Sequence, residues 1–222
     1  MTMMRSLARK STIGLASVAL LGGGMVATSA TATAEEGPIE PADAPDIMDR
    51  PWPEYPNDTD THINIYAATI ILGAEVDENG DQFYGDHPIP NYTTAVEDAV
   101  LLYQADRGLG EHGEMKEEFW GHLDTIQFDR STPNPDWGPD PVKWYYDLGD
   151  EGAGVLAIQN LLINYGYMPD NSDNGEYDTD TMDAVKEFQR DQVCEEVVAE
   201  AQSPCDDGWV GTVTWRALVT AG

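Results

Sequence analysis

Three stretches in the C-terminal half space their apolar residues as helices do. In "LGDEGAGVLAIQNLLINYGY", Val155, Ile158, Leu162 and Tyr165 fall at i, i+3, i+7 and i+10. That spacing is one face of a helix, and Gly166 stands where a C-cap glycine would end it. "DNGEYDTDTMDAVKEFQ" follows, an Asp- and Asn-rich turn around Gly175 and then a helix with Thr181, Val185 and Phe188 on one side. "DGWVGTVTWRAL" is a tight turn leading into a short helix that carries Trp215 and Leu218. Trp215 and Phe188 are the expected core anchors, since burying one large side chain is worth roughly 1.5–3 kcal/mol.

The same skeleton occurs earlier in the chain. "EDAVLLYQ" aligns with "MDAVKEFQ", so that Ala99, Val100, Tyr103 and Gln104 sit 85 residues before Ala184, Val185, Phe188 and Gln189. "HGEMKEEFWGHL" aligns with "DGWVGTVTWRAL", with Gly113, Trp120 and Leu123 sitting 95 residues before Gly208, Trp215 and Leu218. The second copy therefore carries a ten-residue insertion, and Cys194 and Cys205 both lie in it. The resulting expectation is a mainly α chain: two small three-helix domains, at 62–124 and 147–222, joined by a Pro-rich linker over 125–146. Residues 35–61, dense in Pro and acid, read as an extended spacer.

Residues 1–34 read as a secretion signal, not part of the fold. Arg5, Arg9 and Lys10 form a basic start, Ile13 to Val26 an apolar stretch, and Ala32-Thr33-Ala34 a small-x-small cleavage site. Removing them takes away three basic residues and no acidic one. What remains is 8 basic against 41 acidic side chains, a net charge of −33. Such a surface excludes nucleic acid and anionic membranes as partners, because both need basic groups. A hydrophobic content of 41%, with six Trp and ten Tyr, argues against disorder as the cause of the acidity. In an exported chain a Cys194–Cys205 disulfide is the expected state, closing a loop worth on the order of 3 kcal/mol.

The later segment resembles the three-helix peptidoglycan-binding domain of cell-wall hydrolases. The residues that carry the likeness are Leu148-Gly149, Ile158-Gln159, Tyr165-Gly166-Tyr167 and Asn174-Gly175-Glu176-Tyr177-Asp178 with Thr181. They continue through Ala184-Val185, Phe188-Gln189, Asp207-Gly208-Trp209-Val210-Gly211 and Thr214-Trp215 with Leu218. Asp178 departs from the family's usual Gly, and the cysteine insertion is unusual. The first copy departs further, with Val96 for the Thr, Lys116 for the second Gly and Phe119 for the Thr before Trp120. The resemblance implies a secreted, non-catalytic module that binds peptidoglycan or its stem peptide, without a cofactor and without membrane attachment once the signal is cleaved. The alternative is an extracellular interaction module that kept the fold, lost the wall ligand and binds another protein.

Ligand contact would fall to exposed rings and amides near the turns. Trp209, Tyr177, Asn174, Tyr167 and Thr212 are the candidates, with Trp209 expected to face outward from its turn. Gln159 and Gln189 are expected to tie backbone groups together. The Asp-rich turn admits two readings. As a calcium loop, Asp170, Ser172, Asn174, Gly175 and Tyr177 fit, but Thr181 stands where a bidentate Glu is needed. In the first copy Glu75, Asp77, Asn79, Gly80 and Asp86 fit, but Gln82 stands at position 8. As a helix entry, Asp178 caps the helix and Asp180 and Asp183 complement its positive end. Catalysis finds no HExxH, HxH or G-x-S-x-G, which leaves a zinc site at His112 and His122 with Glu118 and Asp124, or a carboxylate pair for glycoside hydrolysis among the 41 acidic residues, as the arrangements a hydrolase would need.

Overall fold

The helices form where the apolar spacing puts them, and their ends are set by side chains that satisfy the backbone. The computed structural model describes residues 37–221 apart from 57–59, 132, 141, 200, 202 and 203, so the segment read as a signal lies outside the described residues. Seven α-helices are present among them: α1 (Pro45–Met48), α2 (Ile63–Ala74), α3 (Thr94–Arg107), α4 (Glu117–Phe128), α5 (Ala153–Asn164), α6 (Thr179–Gln192) and α7 (Thr212–Thr220). Strand-type pairing among the described residues is confined to isolated antiparallel bridges. None of the described helices is long and apolar enough to cross a membrane.

Helix α5 closes as its sequence implies. Gly166 adopts a left-handed φ of 83°, and Tyr167 N–H reaches back to the Leu162 carbonyl at 2.9 Å. Helix α6 opens on Asp178, whose carboxylate accepts the Thr181 N–H at 2.9 Å. That hydrogen bond holds Asp178 below the usual carboxylate range. Helix α3 opens the same way on the Thr93 hydroxyl. Phe188 and Trp215 are fully buried, as are their counterparts Tyr103 and Trp120.

Each half has a three-helix set, α2–α4 and α5–α7, and each set is entered through a bridged tyrosine. Tyr55 pairs with Met115, and Tyr146 pairs with Val210. The first of these corrects the expectation of a spacer over 35–61. In its described part, Ile39, Ile47, Trp52 and Tyr55 are all buried. Proline and acid dominate that stretch by count, yet the few large apolar side chains between them supply enough area to dock it. The linker expected over 125–146 is likewise packed. Helix α4 runs on to Phe128, Tyr146 is fully buried, and Trp137 is nearly so. Trp137 donates its indole N–H to Glu75 Oε1 at 2.8 Å, while its carbonyl accepts the Gly154 N–H that opens α5.

The halves accordingly meet across a broad seam where α2 lies against α5. Buried and partly buried polar bonds cross it. Asn64 donates to the Val219 carbonyl at 2.8 Å, Tyr146 donates to Gln127 Oε1 at 2.9 Å, and Thr212 Oγ1 lies 2.7 Å from Asp124 Oδ1. Arg216 stacks over the Trp52 ring at 3.8 Å. Residues 37–221 thus belong to one compact unit. The cysteine insertion is docked rather than free. Cys194 and Cys205 are bonded, Val198 N–H donates to the Asp43 carbonyl, and Glu196 pairs with Arg50.

Candidate functional site

Two turns, one before α6 and one before α7, present the motif residues, and a buried glutamine organises each. Gln159 on α5 accepts the Gly175 N–H at 2.8 Å and offers its amide N–H groups to Asn174 Oδ1, the Glu176 carbonyl and Thr181 Oγ1. Gln189 on α6 does the same for the second turn. It accepts from Gly208 N–H at 2.8 Å and donates toward Asp207 Oδ1, the Trp209 carbonyl and Thr214 Oγ1. Both glutamines therefore hold backbone and face no ligand. A buried amide used this way makes the turns rigid, because leaving it unpaired would cost about 1–3 kcal/mol.

The first half repeats this wiring with different chemistry at two positions. Gln104 accepts the Gly113 N–H at 2.9 Å and donates to the Glu114 carbonyl at 3.0 Å, as Gln189 does with Gly208 and Trp209. Tyr92 donates its hydroxyl to the Gly113 carbonyl, and Tyr177 donates to the Gly208 carbonyl. Both glycines sit at positive φ, 66° and 79°, which an L side chain rarely adopts. However, His112 occupies the place of Asp207, and Phe119 that of Thr214. The carboxylate and hydroxyl that receive Gln189 in the second half are thus replaced by an imidazole and an apolar ring.

The candidate ligand residues separate into distinct roles. Tyr177 is a correction: it is 1% exposed, and its hydroxyl is spent on Gly208, so it presents no surface. Its ring closes the core beneath the turn. Thr212 is only half-buried, but its hydroxyl is engaged by both oxygens of Asp124 across the seam. Asn174 is exposed at the turn's outer edge, with its Oδ1 committed to Gln159 and to the Glu176 N–H. Tyr167 lies half-buried, edge-on to Phe188, beside a cleft lined by Ser172, Asp180, Asp183, Glu187 and Arg190. Trp209 is half-buried rather than fully outward, because its ring stacks on Tyr145 with centroids 5.1 Å apart.

That stack reveals residues the sequence reading passed over. Tyr145 in turn meets Trp144 edge-to-face at 5.4 Å, and Arg130 lies 3.6 Å over the Trp144 ring. Trp144, Tyr145 and Trp209 are each half-buried, forming a continuous aromatic edge at the turn before α7. The signal was present as three consecutive aromatic residues, "WYY", immediately before the motif. Their alternation sends Tyr146 inward and leaves Tyr145 at the surface. Beneath this edge Asp207 accepts the Trp209 N–H at 2.7 Å, and burial pushes its carboxyl up to about 6.

The metal readings gain no geometry. Asp77 turns its carboxylate onto its own loop, accepting from Asn79 and Asp81 N–H groups. His122 Nδ1 pairs with the Tyr103 hydroxyl at 2.7 Å, whereas His112 sits among Gln104, Glu114 and Glu118. No group of three metal-binding side chains occurs among the described residues.

Residues 151–196 match the model of the family described as "Putative peptidoglycan binding domain". The match spans α5, the Asn174 turn and α6, including Gln159 and Gln189. No curated protein and no solved structure matches the chain. A peptidoglycan-binding domain is therefore present, and with it a link to the cell wall.

Proposed function

We propose that the protein is a secreted, non-catalytic wall-binding protein whose two halves are related peptidoglycan-binding modules packed as one unit. The observation that carries this reading is the family match over 151–196, placed beside the Trp144–Tyr145–Trp209 edge. The pairwise recurrence of the glutamine and tyrosine bonds supports a common origin for the two halves. The aromatic edge is the contact surface in this reading, since ring faces stack on sugars and on apolar parts of peptides without requiring opposite charge. That suits a chain of net charge −30, or −33 without residues 1–34, which long-range attraction would not draw to an anionic wall. Retention on purified insoluble peptidoglycan, compared with a cellulose control at low and high salt, tests the proposal. Salt-independent enrichment is expected, and Trp209→Ala should lower it about tenfold, in keeping with loss of an aromatic anchor. Equal retention on cellulose would overturn the reading, and a clearing zone in a zymogram would overturn the non-catalytic part.

The second reading, an extracellular interaction module, is favoured by the first half alone, where His112 and Phe119 replace the polar partners of the glutamine. It predicts no enrichment on peptidoglycan by the full chain.

A further inference from the structure

A groove of about 500 Å³ opens along the seam between the halves. Thr61, His62, Ile63, Tyr66 and Pro90 line it from the first half, Asn160 and Asn164 from the second. None of the seven carries a carboxylate, ammonium or guanidinium, although the chain holds 41 acidic residues. Burial holds the His62 imidazole below its usual range, so it too stays neutral at physiological pH. A neutral cleft in so acidic a molecule selects against charged ligands on both counts. It offers a cation no counterion, and it offers an anion no donor strong enough to offset desolvation.

What the groove does offer is unspent hydrogen-bonding capacity. Asn160 and Asn164 lie one turn apart on α5 and so share a face. The Asn160 amide N–H groups are used on the Leu156 carbonyl and Asp173, which leaves its oxygen free. The side chain of Asn164 and the hydroxyl of Tyr66 have no partner among the described residues. Thr61 accepts from Asn91 and keeps its own hydroxyl proton available. A primary amide beside a phenol ring and a hydroxyl matches an acetamido sugar. The amide supplies one donor and one acceptor to the ligand's own C=O and N–H, and the ring supports its methyl or pyranose face.

We propose that this seam groove binds an N-acetylhexosamine unit of the wall glycan, with Asn164 reading the acetamido group. The inference rests on the wall-binding reading and deepens it by choosing the glycan over the stem peptide, whose carboxylates the groove cannot pair. It also makes the packing of the two halves functional, because neither half alone builds the site.

The test uses the full mature chain titrated with chitotetraose, with cellotetraose as the sugar lacking acetamido groups, followed by calorimetry or NMR. Chitotetraose should bind, and cellotetraose should bind at least about tenfold more weakly. Asn164→Ala should lose about tenfold, the scale of one hydrogen-bonded pair, with its melting temperature unchanged because Asn164 is exposed. Absence of chitotetraose binding, equal binding of cellotetraose, or full affinity in Asn164→Ala would each overturn the proposal. Retention on peptidoglycan without chitotetraose binding would remove the groove and leave the wall reading standing. Chitotetraose binding blocked by Asn164→Ala, in a chain not retained on peptidoglycan, would do the reverse.

Discussion

Replacing Gln189 by Leu removes the keystone of the turn before α7 while keeping side-chain volume close to constant. Gln189 is fully buried, and its oxygen holds the Gly208 N–H at 2.8 Å. Its nitrogen has two protons for three nearby acceptors, so two bonds are made at a time. The substitution therefore forfeits about three hydrogen bonds, each worth roughly 0.5–1.5 kcal/mol net. Gly208 is buried, so its orphaned N–H adds a desolvation penalty of about 1–3 kcal/mol. An expected loss of about 2.5–7.5 kcal/mol follows, or about 5–30 °C in melting temperature for a unit of this size. The decisive feature is the shape of the transition. Because Asn64, Tyr146 and Thr212 bond across a buried seam, loosening the second half should lower the stability of the whole. Circular dichroism and tryptophan fluorescence should record one coincident transition, moved as a unit, and Gln104→Leu should move the same transition. Two separate transitions, of which only one responds to each variant, would refute the reasoning from the seam. A shift of under 1 kcal/mol would refute the keystone role.

Two further outcomes follow from the same packing. Burial raises the Asp124 carboxyl to about 6, against an ordinary 3.8, with the Thr212 hydroxyl and Arg216 opposing. A raised folded-state value means the folded chain binds the extra proton, so this stabilisation is complete below about pH 4 and lost as pH rises through 6. For a half-buried group that amounts to about 1–2 kcal/mol, and Asp124→Asn should abolish that part of the pH 4–7 slope in chemical denaturation. An unchanged slope would place the titration elsewhere. Replacing Cys194 and Cys205 by Ser should cost about 3 kcal/mol through loop entropy. It should also expose the segment docked through Val198 and Glu196 to limited proteolysis, and resistance equal to wild type would argue against that docking.

The helices, their caps and the buried glutamines were legible in the sequence because each is a local matter. Apolar spacing of 3.6 residues, Asp178 at a helix entry and Gly166 at an exit act within one or two turns, and the structure realises all three. So is the correspondence between halves, since Gln104 and Gln189 each reach a turn only eight to twenty residues away. What tertiary structure alone decided is which side of each residue faces water. Tyr177 and Trp209 occupy similar turns, yet Tyr177 points its hydroxyl into the core at Gly208 while Trp209 lies against Tyr145 at the surface. The stretches read as spacer and linker misled for the same reason. Proline and acid fix local conformation and solubility, but Trp52, Trp137 and Tyr146 dock on partners 62 to 164 residues distant, which no local pattern encodes. The seam groove is the fullest case: Tyr66 and Asn164 lie in separate halves, and only the packing of α2 on α5 brings them to one cleft.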